Sequence, residues 1–387
     1  NERSMQQIAK VEPTIMEGYK RRNRLISSVS KQMIDMLMTD RDASQFIATM
    51  ILRAPMPDDR ARCANNEINK PIYIASLAIS LLRRLADKDG LENDFIRSLI
   101  PDLVQVEGTT EIEYEAGQLA RFEQYVLTPI ITACLIHNIG SYSKEALTIY
   151  KGDRYQVFDD KLRKILISVI YEKSKKYLTF GLGDPRISRI HMDDQEHQMD
   201  EESFQLCEQI LQSYSKNDDP DGNILRIPMI YASFMLSTKQ KHEYLVAFKA
   251  YDILKSGIDN NIIYQPYAEE FLKMVGHYPL GTGIFFYSKE TEVPERAVVT
   301  GLNPPEPTSA IVKQLTRKQL QFDDHTQVCA HKNTIISNKE AREASRFDDK
   351  YYQKQFPKGY FWNPSEVWEL GIDHQQFWRR DNNLKQN

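Results

Sequence analysis

Two stretches of this chain carry too little polar surface to face water, and they set the fold class. Glu67 to Ala86 places Ile72, Ile74, Leu77, Ile79, Leu81, Leu82 and Leu85 around more of a helix than one side, so the segment must be buried. Gln118 to Gly140 repeats the pattern with Phe122, Tyr125, Val126, Ile130, Ile131, Ala133, Cys134 and Leu135, and glycine can close it. Amphipathic helices are predicted around these two: Glu17 to Met38, Ser44 to Leu52 (ended by Pro55-Met56-Pro57), Asp160 to Tyr177, Glu202 to Tyr214, Ile224 to Leu236, Glu243 to Ser256 and Tyr264 to Val275. The period then changes. Gly283 to Tyr287, Arg296 to Thr300 and Ala310 to Leu315 are short β-type runs between proline and glycine turns, which predicts a small antiparallel sheet.

The expected architecture is therefore mainly α: a helical bundle with a small antiparallel β appendage and an extended aromatic C-terminal tail. Residues 1–66 read as an N-terminal helical region and 67–326 as the main domain. Within the latter, 87–117 reads as an acidic insertion broken by Gly90, Pro101 and Gly108, 181–201 as an acidic loop, and 277–322 as the β appendage. Residues 327–387 read as a docking tail, because all three tryptophans, Trp362, Trp368 and Trp378, stand in an otherwise polar segment. They are the candidate interface residues.

Charge and cysteine usage exclude several classes. The 50 Lys and Arg against 54 Asp and Glu give a net charge of −4, which does not suit a surface built to hold nucleic acid. The local cluster Lys20-Arg21-Arg22-Asn23-Arg24 reads as a solvated helix face. Cys63, Cys134, Cys207 and Cys329 lie far apart with no CxxC pair, so neither a zinc site nor a disulfide framework is expected. No run approaches eighteen apolar residues and no signal peptide opens the chain. The expectation is a cytoplasmic chain with no membrane insertion.

The segment Ala133-Cys134-Leu135-Ile136-His137-Asn138-Ile139-Gly140 resembles the metal-binding signature of the HD phosphohydrolase superfamily, in which an apolar helix delivers His-Asp into a bundle core. His277-Tyr278-Pro279-Leu280-Gly281-Thr282-Gly283-Ile284, with Ala297-Val298-Val299 and Leu302-Asn303-Pro304, resembles the β appendage of HD-GYP domains, the bacterial cyclic-di-GMP phosphodiesterase branch. Arg226 to Ser233 is similar to the late helix of that family, whose Ala-Asp pair supplies the last metal ligand. The resemblance spans roughly Ile68 to Phe322 and implies an HD-type bundle.

The departures matter more than the match. Hydrolysis of this kind needs imidazoles and carboxylates that offset the charge of one or two divalent ions. Here the signature aspartate is Asn138 and the late aspartate is Ser233, both uncharged, and no histidine precedes His137. The resemblance thus implies vestigial metal positions at His137, Asn138 and Ser233, no catalytic residue and no cofactor. What remains is a pseudoenzyme that keeps the bundle for regulation or scaffolding in cyclic-di-GMP-related signalling, with a protein partner and a cyclic dinucleotide as candidate ligands.

Two alternatives stay open. One is a metal-dependent phosphohydrolase with a relocated site at His191, Asp193, Asp194 and His197, although acidic loops between helices are ordinarily just solvated. The other is a nucleotide receptor without turnover. Cys134 lies deep in an apolar helix and reads as an inert thiol, and the Gly281-Thr282-Gly283 turn lacks the strand-to-helix context of a phosphate cradle.

Overall fold

The computed structural model describes residues 2–56, 58–105, 112–186, 194–287, 294–315, 322–336 and 350. The fold is mainly α with a small antiparallel sheet, as the periodicities predict. In chain order the helices are α1 (Glu2–Met36), α2 (Asp40–Leu52), α3 (Asp59–Asp87), α4 (Asp94–Ser98), α5 (Ala116–Phe122), α6 (Thr128–Ile136), α7 (Lys144–Tyr150), α8 (Asp160–Tyr177), α9 (Asp194–Ser213), α10 (Pro220–Met235), α11 (Ala250–Asp259) and α12 (Gln265–Val275). A hairpin, β1 (Leu103–Gln105) with β2 (Ile112–Tyr114), lies between α4 and α5. The remaining strands are β3 (Gly283–Tyr287), β4 (Pro294–Val299), β5 (Ala310–Leu315), β6 (Phe322–Cys329) and β7 (Thr334–Ile335).

These elements form two compact units. One draws on Asn1–Leu37, Ile74–Met229 and Asn261–Tyr267; the other on Met38–Tyr73, Ile230–Asn260 and the described residues from Ala268 on.

In the first unit the two apolar stretches are buried as expected. Ile74, Leu77, Leu81, Leu82 and Leu85 of α3 are closed to solvent, as are Ile130, Ile131, Ala133 and Cys134 of α6. At about 25 cal/mol per Å² of apolar surface removed from water, each buried leucine or isoleucine contributes roughly 1.5–3 kcal/mol, which makes these helices the thermodynamic centre of the unit. Between α5 and α6 the helix widens into a π-helical turn, Glu123–Leu127. Pro129 explains it: proline has no N–H to give one turn back and its ring crowds that carbonyl. The Thr128 hydroxyl donates to the Glu123 carbonyl at 2.9 Å across the widened turn.

The basic cluster on α1 is partly structural. Arg22 donates to the Gly181 carbonyl, and Asn23 Nδ2 donates to the Leu182 carbonyl at 2.8 Å. Both carbonyls belong to the π-helical end of α8. The stretch Ala116–Tyr142 is, by length and composition, apolar enough to cross a membrane, yet over half of it is buried within the fold, as a core helix would be.

The second unit packs helices against a five-stranded antiparallel sheet of order β6-β5-β4-β3-β7. Residues β6 and β7, Phe322 to Ile335, extend this sheet beyond the three strands that sequence pattern picks out. Ile284, Phe286, Ala297, Val299, Ala310 and Val312 form its buried face together with Phe248 and Tyr278. Thr39 caps α2, accepting from the Asp42 backbone N–H at 3.1 Å. That helix is pinned to the turn after β4 by the Leu302 N–H donating to Ser44 Oγ at 3.0 Å and by Asn303 donating to Asp40 at 2.8 Å.

Gly281 shows why the Gly-Thr-Gly turn has its sequence. Its φ is +81°, and a Cβ there would stand 2.8 Å from the Ala48 carbonyl oxygen and 2.7 Å from Ile51 Cβ. The glycine is there so that α2 can cross the chain, which accounts for the turn without a phosphate. Gly281→Ala should therefore lower stability by about 1–3 kcal/mol, from overpacking added to left-handed strain. Gly152→Ala, at φ +88° with open space around it, should cost only the backbone strain of about 1 kcal/mol. Urea midpoints check this, and equal losses for both variants would show that α2 does not crowd Gly281.

Candidate functional site

His137 stands at the C-terminal end of α6, in the first unit, and is 8% exposed. Its Nδ1 lies 2.7 Å from the Cys134 carbonyl oxygen, one turn back in its own helix. That contact places the proton on Nδ1 and fixes the ring, an arrangement that serves a structural histidine and a ligating one equally. The neighbours decide what chemistry is present. Asn138 is partly exposed, its backbone carbonyl accepts from the Ser141 N–H at 3.0 Å, and its side chain caps nothing. It brings no charge.

Gly140, the last residue of the motif, serves packing. A Cβ there would stand 2.2 Å from the Ile170 carbonyl oxygen of α8, and the Gly140 N–H donates to Ser174 Oγ at 2.9 Å. The glycine lets α8 touch the backbone of the turn. Cys134 is fully buried and burial pushes its thiol pKa up, with the Cys207 thiol adding to the rise. Such a thiol is not a nucleophile at neutral pH.

Ser233 belongs to the second unit, on α10. It is exposed, and its Oγ donates to the Ile230 carbonyl at 2.6 Å, back onto its own helix. A hydroxyl spent this way is a poor metal donor.

In the acidic segment, His191, Asp193 and the Asp194 side chain lie outside the described residues. The described part corrects the expected loop 181–201 at its end: α9 already begins at Asp194. His197 is thus on a helix, with Nε2 3.2 Å from Glu201 one turn on, and its four-residue spacing to Glu201 is an i, i+4 pair of helix surface type. Asp200 has its carboxyl pKa raised, mainly by burial, with His197 opposing and Glu196 reinforcing the shift. Among the described residues no group of three or more His, Cys, Asp or Glu comes together as metal donors would. Trp362, Trp368 and Trp378 also lie outside the described residues.

The Gly276-His277-Tyr278-Pro279 run packs as an aromatic cluster in the second unit. The His277 N–H donates to the Pro307 carbonyl at 2.7 Å, its ring centroid is 5.2 Å from that of Tyr251, and the Tyr278 hydroxyl meets His331 Nδ1 at 2.7 Å.

A different group is missed by motif reading. Arg62, Asn66, Lys70 and Tyr73 follow at four, four and three residues along α3, so they share one face. Arg62 is 7% exposed and donates to the carbonyls of Ser237, Lys239 and Gln240 at 2.7–3.0 Å, as well as to Asp59. Asn66 donates to the same Ser237 carbonyl at 2.9 Å. This face therefore binds the turn that follows α10. Beyond it the accounting stops closing: Asn66 Oδ1 and the hydroxyls of Tyr73 and Tyr231 are buried and have no hydrogen-bond partner among the described residues. Lys70 is partly buried, and its pKa falls from 10.5 to about 8, first through burial and then through the like charge of Lys239. The sequence signal was present as a polar stripe at 62, 66, 70 and 73 on a helix otherwise read as apolar.

No family model, no curated protein and no solved structure matches the chain.

Lys70 has a measurable signature. Between pH 8 and 10.5 the unfolded chain binds a proton at this lysine that the folded chain has released, so its contribution to stability rises with pH there and is flat below 8. The phenol of Tyr73, whose pKa is raised by burial, works in the opposite sense only above pH 10. Lys70→Met should therefore remove a rise in unfolding free energy between pH 8 and 10, of up to about 3 kcal/mol, and should be the more stable form at pH 7. Urea melts of both proteins across that range read it out; parallel curves would mean that Lys70 is solvated.

Proposed function

We propose that the chain is a catalytically silent HD-GYP-like protein that acts by binding, as a regulatory or scaffolding module of bacterial cyclic-di-GMP-related signalling with a protein partner. The observation that carries this reading is Ser233. Where the resemblance calls for an anionic ligand, the chain has a hydroxyl that is exposed and bonded to its own helix. Asn138 adds a second uncharged group where a bridging carboxylate is needed, and His137 is held by a carbonyl of its own helix. His137 and Asn138 bring a divalent ion one imidazole and one neutral amide, and desolvating such an ion without anionic ligands is too costly for tight binding.

A receptor that holds a nucleotide or another small ligand without cleaving it is the second reading. The orphaned polar atoms of Asn66, Tyr73 and Tyr231 favour it, since buried groups of this kind are ordinarily partnered.

Metal analysis after loading with manganese or iron, together with hydrolysis assays on cyclic-di-GMP and on mononucleotide esters, tests the silent reading. The expected result is substoichiometric metal, no turnover, and no change in either on His137→Ala. Stoichiometric metal that is lost in His137→Ala, along with hydrolysis, would make the protein an enzyme.

A further inference from the structure

The two outer strands of the five-stranded sheet are fastened differently. β6 pairs with β5 from Ala310 to Leu315, whereas β7 meets β3 only at Phe286↔Thr334 and Phe285↔Ile335. Two residues is shorter than strands ordinarily are, so this pairing holds little by itself. The 3₁₀ turn that carries it, His331–Asn333, is tied to the core by His331. Its Nδ1 lies 2.7 Å from the hydroxyl of Tyr278, which is 4% exposed and belongs to the buried face of the sheet, and Ile336 packs against the same cluster.

A second imidazole stands beside that bond. The His277 ring is edge-on to His331, with centroids 5.6 Å apart, and packs on Tyr251 and Tyr278 at 5.2 and 5.3 Å. It is half-buried, and its nitrogens make no hydrogen bond among the described residues. The Tyr278 hydroxyl serves His331 in either protonation state, since it donates to a bare Nδ1 and accepts from a protonated one. His277 has no such partner. An imidazolium there has two N–H groups without a protein acceptor, and a charge on His331 faces it across one ring contact. The titratable and charged groups around the pair are Tyr251 and Asp252 of α11, Tyr278, Cys329 of β6, and Lys332, which follows His331. Burial holds the His277 pKa below the usual 6.5, against the pull of Asp252 and with the push of His331.

We propose that His277 and His331 form an acid-sensitive clip, which holds residues 331–335 on the edge of β3 at neutral pH and loosens them when the pair takes up protons. Lifting the segment removes His331 and lets water reach the His277 ring. The lifted form therefore binds a proton at His277 that the clipped form lacks, so attachment weakens as pH falls from about 6.5 and is constant above it. The outer edge of β3, at Phe285 and Phe286, is uncovered when the clip opens. None of this depends on the catalytic silence argued above: a metal at His137 would leave the clip as it is.

Hydrogen–deuterium exchange of the full chain at about pH 7.5 and about pH 5.5, corrected for the intrinsic pH dependence of exchange, reads the clip. Protection of peptides covering 331–336 should fall by about threefold or more in acid, while the β4–β5 pairing keeps its protection. His277→Phe preserves an aromatic ring against Tyr251 and Tyr278 but cannot take a proton, so its 331–336 segment should stay protected at both values. Equal protection of the native segment at the two values would overturn the proposal. So would acid loosening that persists in His277→Phe. Should that variant fail to fold, the imidazole carbon signal of His277, assigned through its contacts with the Tyr251 and Tyr278 rings, decides the matter. Its titration midpoint should rise in His331→Gln, which removes the like charge, and a midpoint that stays in place would equally sink the clip.

Discussion

The polar side chains that α3 buries, Arg62 and Asn66 among them, have to find partners inside the protein. This constraint organises the second unit. Arg62 meets it by donating to three carbonyls of the turn after α10, and Asn66 by donating to one of them. Charge-assisted bonds of this kind are worth roughly 1.5–3 kcal/mol each, so they fix the turn more firmly than apolar contact alone. The Asn66 amide oxygen and the Tyr73 hydroxyl on the same helix are buried with no hydrogen-bond partner among the described residues.

Glycine plays the complementary part. At Gly140 and Gly281 the absence of a Cβ lets one segment lie against another's backbone, α8 in the first unit and α2 in the second. Both positions stand inside sequence runs that invite a catalytic or phosphate-binding reading. Close packing explains each of them without a ligand. The His137 ring, in turn, is oriented by the Cys134 carbonyl of its own helix.

Much of the fold is legible in the sequence for a simple reason. Helices that are long and periodic, such as α3, or apolar on every side, such as α6, are decided by local pattern, and the runs at β3 and β5 announce themselves by β-branched and aromatic residues between turns. What is not legible depends on distant partners. α7 is short and half polar, and β7 is two residues long and exists because β3 offers it an edge. α9 begins inside a segment whose acidity suggests a loop, since charge at a helix start is favourable and reads as solvation in one dimension. The site is harder still. Asn138 can be read as uncharged from its letter, but Ser233's turn back onto Ile230 is a matter of rotamer, and the bonds from Arg62 and Asn66 to the Ser237 carbonyl join residues far apart in the chain.

The proposed silence rests on the uncharged residues Asn138 and Ser233 where a hydrolytic ion would need carboxylates. Anomalous diffraction from crystals grown in manganese, collected to locate the metal, addresses it most directly. The account predicts no manganese peak within coordinating distance of the His137 imidazole. A strong peak there, ringed by three or more protein donors, would contradict it.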